Sequence, residues 1–208
     1  MLNLLRKDFI ALKSSLWTII LYLAVFSFTF IPNAEMSIYF VGIYTAFGAI
    51  ILTTMIDIKN HNHQFLITLP INRKQIVQAK YITAILYTIL AVVASYGIHW
   101  LAKLAFPQLD KPDYSLWVIL ISIGIVLVLI AVYMPLFYTL SKKGAGIINA
   151  IFLIALIVLA QPAAKLIQII NEQDVVSTQT WLLVPAGVLL LFIASYFLTI
   201  SLFTRKDL

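Results

Sequence analysis

Residues 57–81 read DIKNHNHQFLITLPINRKQIVQAKY, a polar island between long apolar runs. It has the density of charged and amide groups that its neighbours lack, and it carries helix-start chemistry. Proline disfavours the helical region for the residue before it, so Leu69-Pro70 closes whatever precedes. Asn72 is a good N-cap, and Gln75 three residues later makes a weak capping box. A new helix is therefore expected from Arg73 through Tyr81 into the following apolar run. The island reads as a short structured element at a membrane face followed by entry into the bilayer. A solvated loop joining two spans is the plainer alternative.

The rest of the chain supports the membrane setting. Hydrophobic residues make up 62% and charged residues 11% of its 208 positions, with a mean hydropathy of +1.02. A soluble domain has about half apolar and about a quarter charged residues, so the class is a polytopic all-α membrane protein. There is no cysteine, hence no disulfide framework and no thiol chemistry. The formal net charge of +6 would suggest nucleic acid for a soluble chain. Here the cations flank apolar runs, which points to membrane topology and anionic headgroups instead.

Six spans are expected, at roughly 14–31, 36–56, 81–106, 114–140, 144–170 and 181–203. Each is near the roughly 20 residues that cross a hydrocarbon core. The fifth is the least regular, because Gln161-Pro162 interrupts it and residues 163–170 complete it or form a separate outer helix. The N-terminal basic residues and apolar run resemble a signal peptide without a convincing cleavage site. In residues 1–13, Leu2, Leu5, Phe9 and Leu12 share one helical stripe, which suggests either a helix lying in the membrane interface or the frayed cytoplasmic start of the first span.

Charge orients the spans. With both ends in the cytoplasm, the inner segments hold Arg6, Lys7, Lys13, Lys59, Arg73, Lys74, Lys80, Lys142, Lys143, Arg205 and Lys206. The outer ones hold Lys103, Lys111 and Lys165, so 11 of the 14 basic residues face inward, as the positive-inside rule requires. Trp100, Trp117 and Trp181 then fall at the outer interface and Trp17 at the inner one. His99 beside Trp100 reads as an interface residue.

The missing chemistry narrows the function. No Asp or Glu lies in the middle of a span, which argues against an ion-coupled transporter. Residues 142–146, KKGAG, lack the G-x-x-x-x-G-K-[ST] spacing of a phosphate loop, so the energy for any uphill work must come from another subunit. His61 and His63 have no cysteine partner and only Asp57 nearby, which makes them polar loop residues more readily than a metal site. A membrane enzyme using Asp57, His61 and His63 is one alternative; a partner-binding or regulatory membrane protein that transports nothing is another. Gly42, Ala46 and Ala49 in the second span, with Ala91 and Ser95 in the third, have the spacing of close helix packing. Ser122, Asn149 and Ser195 are expected to bond neighbouring helices.

Six spans, the start LLRKDF, the end FTRKDL and above all LPINRKQIVQAKY (69–81) resemble the permease subunits of type-2 ABC exporters. The 69–81 stretch is similar to the pattern of small bacterial permeases in this class, among them those of phenol-soluble modulin export and antimicrobial-peptide resistance. The resemblance implies a non-enzymatic permease in the bacterial cytoplasmic membrane, working with two ABC ATPase subunits that carry ATP and Mg, and with a second permease copy or a sister permease. It implies no cofactor or metal in this chain. It makes the segment between the second and third spans a cytoplasmic coupling helix, with Phe65, Leu69, Pro70, Arg73 and Lys74 at the ATPase contact. Lys80 and Tyr81 would anchor the third span at the interface. Residues 1–13 would be an interfacial connecting helix and 161–180 an outer re-entrant region. An amphipathic or hydrophobic substrate, a peptide above all, is the expected cargo.

Overall fold

The computed structural model describes residues 2–32, 37–60, 62, 66, 72–109, 116–140, 144–156, 158 and 178–205. Among them the chain is helical, with no strand. The helices are α1 (Leu2–Ser14), α2 (Leu16–Phe30), α3 (Ser37–Lys59), α4 (Arg73–Ala105), α5 (Leu116–Thr139), α6 (Gly144–Leu156) and α7 (Thr178–Thr204). A 3-10 turn, Pro107–Leu109, follows α4.

Among the described residues, four helices are long and apolar enough to cross a membrane: α3, α4, α5 and the Leu183–Thr204 part of α7. The expected first span is the 15-residue α2, set off from α1 by a turn at Ser15. At 1.5 Å per residue it is about 22 Å long, short of a ~30 Å core. The expected fifth span is described as a helix only over Gly144–Leu156, and most of residues 157–177 lie outside the described residues.

The bundle is built around α3. It is apolar nearly all round, as a buried helix or a membrane span is, and it is buried along most of its length. It touches α1, α2, α4 and α5. Small residues explain its closest neighbour: a Cβ on Gly42 would stand 3.6 Å from Val92 and 3.7 Å from Ser95, both on α4. The predicted small-residue stripe therefore lies inside the bundle. On its other sides α3 packs through rings, with Phe26 5.1 Å from Tyr44 and Phe47 5.4 Å from Tyr133 and 5.7 Å from Phe152.

Three helices meet at one proline. Pro135 inside α5 has no N–H to offer the carbonyl of Ala131 four residues back. The Ser195 hydroxyl of α7 donates to that carbonyl at 2.6 Å. Tyr81 of α4 places its hydroxyl 2.7 Å from Ser195 Oγ and 2.8 Å from Thr199 Oγ1. Asn149 on α6 likewise reaches across, accepting from Tyr133 at 2.6 Å. Ser122 differs from expectation: it bonds its own helix, at the Val118 carbonyl.

His99 also differs. It is buried, with Nε2 2.8 Å from Ser37 Oγ and Nδ1 2.8 Å from the Ser95 carbonyl. It ties the end of α4 to the start of α3. A neutral imidazole has one donor and one acceptor nitrogen, which suits a carbonyl on one side and a hydroxyl on the other.

Candidate functional site

The polar island begins at the end of α3 and finishes at the start of α4. Asn72 caps α4 as its sequence predicts: its backbone is extended and its side chain accepts from the Lys74 N–H at 3.0 Å. His61, His63, Phe65, Leu69 and Pro70 lie outside the described residues. Asn62 and Leu66 are described, and both turn back toward the bundle.

They turn toward a cluster of four charges. Lys80 Nζ on α4 lies 2.5 Å from Asp57 Oδ2 on α3 and 3.3 Å from Asp8 Oδ1 on α1. Lys7 Nζ on α1 lies 3.0 Å from Asp57 Oδ1 and 3.2 Å from Asp8 Oδ1. Asn62 donates to Asp57 Oδ1 at 2.8 Å. The Tyr87 hydroxyl donates to the Asp8 backbone carbonyl at 3.0 Å and its ring meets Phe9 edge-on. Two carboxylates and two ammonium groups thus cancel to zero net charge.

Burial makes the pairing obligatory. The side chains of Asp57, Asp8 and Lys80 are 2%, 3% and 5% exposed, whereas Lys7 keeps 30%. A charge taken out of water is costly unless it is paired and hydrogen-bonded. Asp57 sits in the last turn of α3, where the helix dipole disfavours a carboxylate, so its partners and not its own helix hold it. A cavity of about 10 Å³ adjoins the cluster, lined in part by Leu4, Leu66, Ile76 and Tyr138. That is room for no more than about one water, so the cluster is a joint and not a pocket. With Asp57 held by two ammonium groups and an amide, it is not a free base for the enzyme alternative.

Lys80 and Tyr81, expected as interfacial anchors, sit inside the bundle: Lys80 in the charge cluster, Tyr81 between Phe192 and Tyr196 of α7 with its hydroxyl on Ser195 and Thr199. Of the expected apolar stripe of α1, Leu5 packs against the core and Phe9 meets Tyr87. Leu4 and Asp8 face the bundle, while Phe9 and Ile10 are exposed. Arg73 donates through Nη1 to the carbonyls of Phe203 and Thr204, both at 3.1 Å, and its guanidinium lies 5.9 Å from the Phe203 ring centroid. The last turn of α7 has no basic residue of its own, so Arg73 supplies from α4 the cation that helix end favours. Lys74, its neighbour, is exposed.

Sequence reasoning did not find Asp8 or the pairing of Lys80 with Asp57. A usable signal was present: the described inner end has two acids, and each lies one helical step from a buried position, Asp8 from Leu4 and Asp57 from Thr53 and Thr54.

Three helix starts and ends thus gather at one face: α1, the α3 terminus and the α4 start, with the α7 terminus held by Arg73. No curated protein and no solved structure matches the sequence. Residues 3–204 match the family described as ABC-2 family transporter protein. That match spans the charge cluster, the polar island and nearly every residue of the seven described helices, and the chain belongs to the ABC-2 family of transporter proteins.

Proposed function

We propose that this chain is the permease of an ATP-driven exporter that moves amphipathic or hydrophobic peptides out of a bacterial cell. Family membership makes it the membrane component of an ABC transporter, served by an ABC ATPase. The observation that carries the rest is the placement of the polar island. Its first residue, Asp57, lies in the last turn of α3 and pairs with Lys80 near the start of α4, so the described ends of the island meet in one buried ion pair. A partner that engages the island therefore acts on the ends of α3 and α4 that this pair joins.

In this reading the chain crosses the cytoplasmic membrane six times with both ends inside. Phe65, Leu69, Pro70 and Lys74 meet the ATPase. Two permeases, identical or sister chains, stand over two ATPases. Nucleotide-driven closure of the ATPases shifts the island and changes helix packing across the membrane. The long apolar outer faces of α2 and α7, including Trp17, Phe28, Leu183 and Phe197, offer an amphipathic cargo a surface with few charges.

The test is purification of the chain from its native membrane in a gentle detergent, with identification of what comes with it. A phosphate-loop ATPase in stoichiometric amount is expected. Inverted vesicles holding the complex should then take up an amphipathic helical peptide when ATP is supplied. Absence of an ATPase from the purified wild-type chain overturns the transporter assignment; ATP hydrolysis without peptide uptake overturns the cargo.

A further inference from the structure

We propose that the outward face of α1 binds anionic phospholipid headgroups, with Arg6 and Lys13 meeting the headgroup charge and Phe9 and Ile10 entering the acyl region between them. The inference needs the chain to lie in a membrane and is independent of the transporter reading.

Asp8 fixes where α1 lies along α4. Its carboxylate meets Lys80 and its backbone carbonyl accepts from Tyr87. Those two residues are seven positions apart, about 10 Å along the helix, so α1 crosses α4 over that stretch. The outward face of α4 changes character there. Before it the exposed residues are Asn72, Lys74, Gln75 and Gln78; after it they include Ile89, Leu90 and Val93. On a membrane helix an exposed apolar face meets acyl chains and an exposed polar one meets headgroups or water. α1 therefore lies at the level where the bilayer begins.

The burial of Asp8 also decides the charge of the opposite side. Asp8 is the one acid in α1, and it faces Lys7 and Lys80 inside the bundle. At 3.6 residues per turn, Arg6 and Lys13 lie about 20° apart around the helix and two turns apart along it, while Asp8 lies about 160° from Arg6. Phe9 and Ile10 fall between the two cations on the same side, and all four are exposed. Among the described residues neither Arg6 nor Lys13 makes an ion pair. The outward face thus carries cations and apolar side chains without an acid, the pattern of an interfacial helix drawn to anionic lipid. A turn at Ser15 ends α1, and Trp17, one turn past Lys13, is of a type enriched at the membrane interface. An acidic protein is a poorer fit, because Phe9 and Ile10 face the same way at the depth where acyl chains begin.

Trp17 serves as the probe, since it is 83% exposed and close to Lys13. The chain has four tryptophans, and Trp100→Phe, Trp117→Phe and Trp181→Phe leave Trp17 as the sole emitter. This full-length parent is reconstituted in phosphatidylcholine vesicles holding a fixed fraction of bromine-labelled phosphatidylglycerol, or the same fraction of bromine-labelled phosphatidylcholine. Bromine quenches tryptophan at contact, so the difference between the two reports local enrichment of the anionic lipid. A several-fold enrichment is expected, falling as salt is raised.

Arg6→Gln/Lys13→Gln should bring the two lipids level. Arg6→Lys/Lys13→Arg should keep the preference, as should Lys59→Gln/Lys74→Gln, which removes equal charge from the ends of α3 and α4. The single changes Arg6→Gln and Lys13→Gln should each remove part of it, and they decide the matter if the double variant does not fold.

Equal quenching by the two lipids in the parent overturns the inference. So does a preference that survives neutralisation of Arg6 and Lys13. A preference lost as completely in Lys59→Gln/Lys74→Gln also overturns it, since net charge and not this face would then set the lipid neighbours.

Discussion

The Ser195 hydroxyl donates at 2.6 Å to the Ala131 carbonyl, the one backbone acceptor that Pro135 leaves without its helical partner. A proline in a membrane helix frees a carbonyl that lipid cannot satisfy. Here a serine from the adjacent helix satisfies it, and Tyr81 bonds that serine in turn.

The consequence is a non-additive pair. Ser195→Ala should destabilise the protein by about 1–3 kcal/mol, the cost of an unsatisfied buried group. In a Pro135→Ala background, the restored N–H at 135 reaches Ala131 and the same change should cost under ~1 kcal/mol, near the average interhelical bond in a membrane. Tyr81 keeps Thr199 as a partner in both backgrounds. A double-mutant cycle read by detergent unfolding checks this; additive losses would remove the proline from the explanation.

The charge cluster should show the same dependence on what remains behind. Lys80→Met leaves Asp8 and Asp57 facing one lysine, and Asp57→Asn leaves two lysines facing one acid. Each should cost about 3–5 kcal/mol, the range for breaking a buried pair. Asp57→Asn/Lys80→Met should be milder than either single change, because the remaining Lys7–Asp8 pair is balanced. Lys7→Gln also leaves two buried acids facing one lysine, but Lys7 keeps 30% of its exposure and the pairs it gives up are partly screened, so it should cost less than Lys80→Met. Thermal unfolding of the four purified variants ranks them directly.

Two glycines of α3 should respond oppositely to one methyl group. A Cβ on Gly42 would find Val92 and Ser95 at ordinary contact distance, 3.6 and 3.7 Å; on Gly48 it would meet the Tyr22 ring at 3.0 and 3.2 Å. Gly42→Ala is expected to be neutral or stabilising, because alanine is also the better helix former. Gly48→Ala must displace Tyr22 and should lose about 1–3 kcal/mol, the usual cost of overpacking. Equal melting temperatures for the two variants would contradict this geometry.

The elements most legible in the sequence were those governed by local chemistry. Asn72 after Leu69-Pro70 marked the start of α4, and Gly42, Ala46 and Ala49 marked a packed stripe. The long apolar runs marked α3, α5 and α7. What could not be read depended on partners far away in the chain. Lys80 looked like one more inner-face cation, because nothing within a helical turn of it is acidic; Asp57 is 23 residues away and Asp8 is 72. Arg73 likewise suited an external acid by its position, while its carbonyl partners lie 130 and 131 residues on. α1 presented an apolar stripe at Leu5 and Phe9, and both touch the bundle, but the Leu4 and Asp8 face is the one buried against it.

Arg73 and Lys74 must therefore be separated when docking is tested. Reversing both charges would break the cap on α7 together with any ATPase contact, and lost binding could come from either. Arg73→Gln should loosen the α7 terminus by about 1 kcal/mol, from the lost charge-assisted bonds and dipole interaction, seen as faster amide exchange over residues 200–204. Lys74 is exposed and its side chain takes no part in the Asn72 cap, which uses its backbone N–H. Lys74→Glu should leave the melting temperature unchanged. If Lys74 meets an acid on the ATPase, the same change should weaken co-purification of the ATPase several-fold, as expected for a rim charge that steers association, and added salt should reduce the difference between variant and wild type. Undiminished co-purification of Lys74→Glu at low salt would remove Lys74 from the docking surface, and Arg73, held by α7, could not take its place without giving up Phe203 and Thr204.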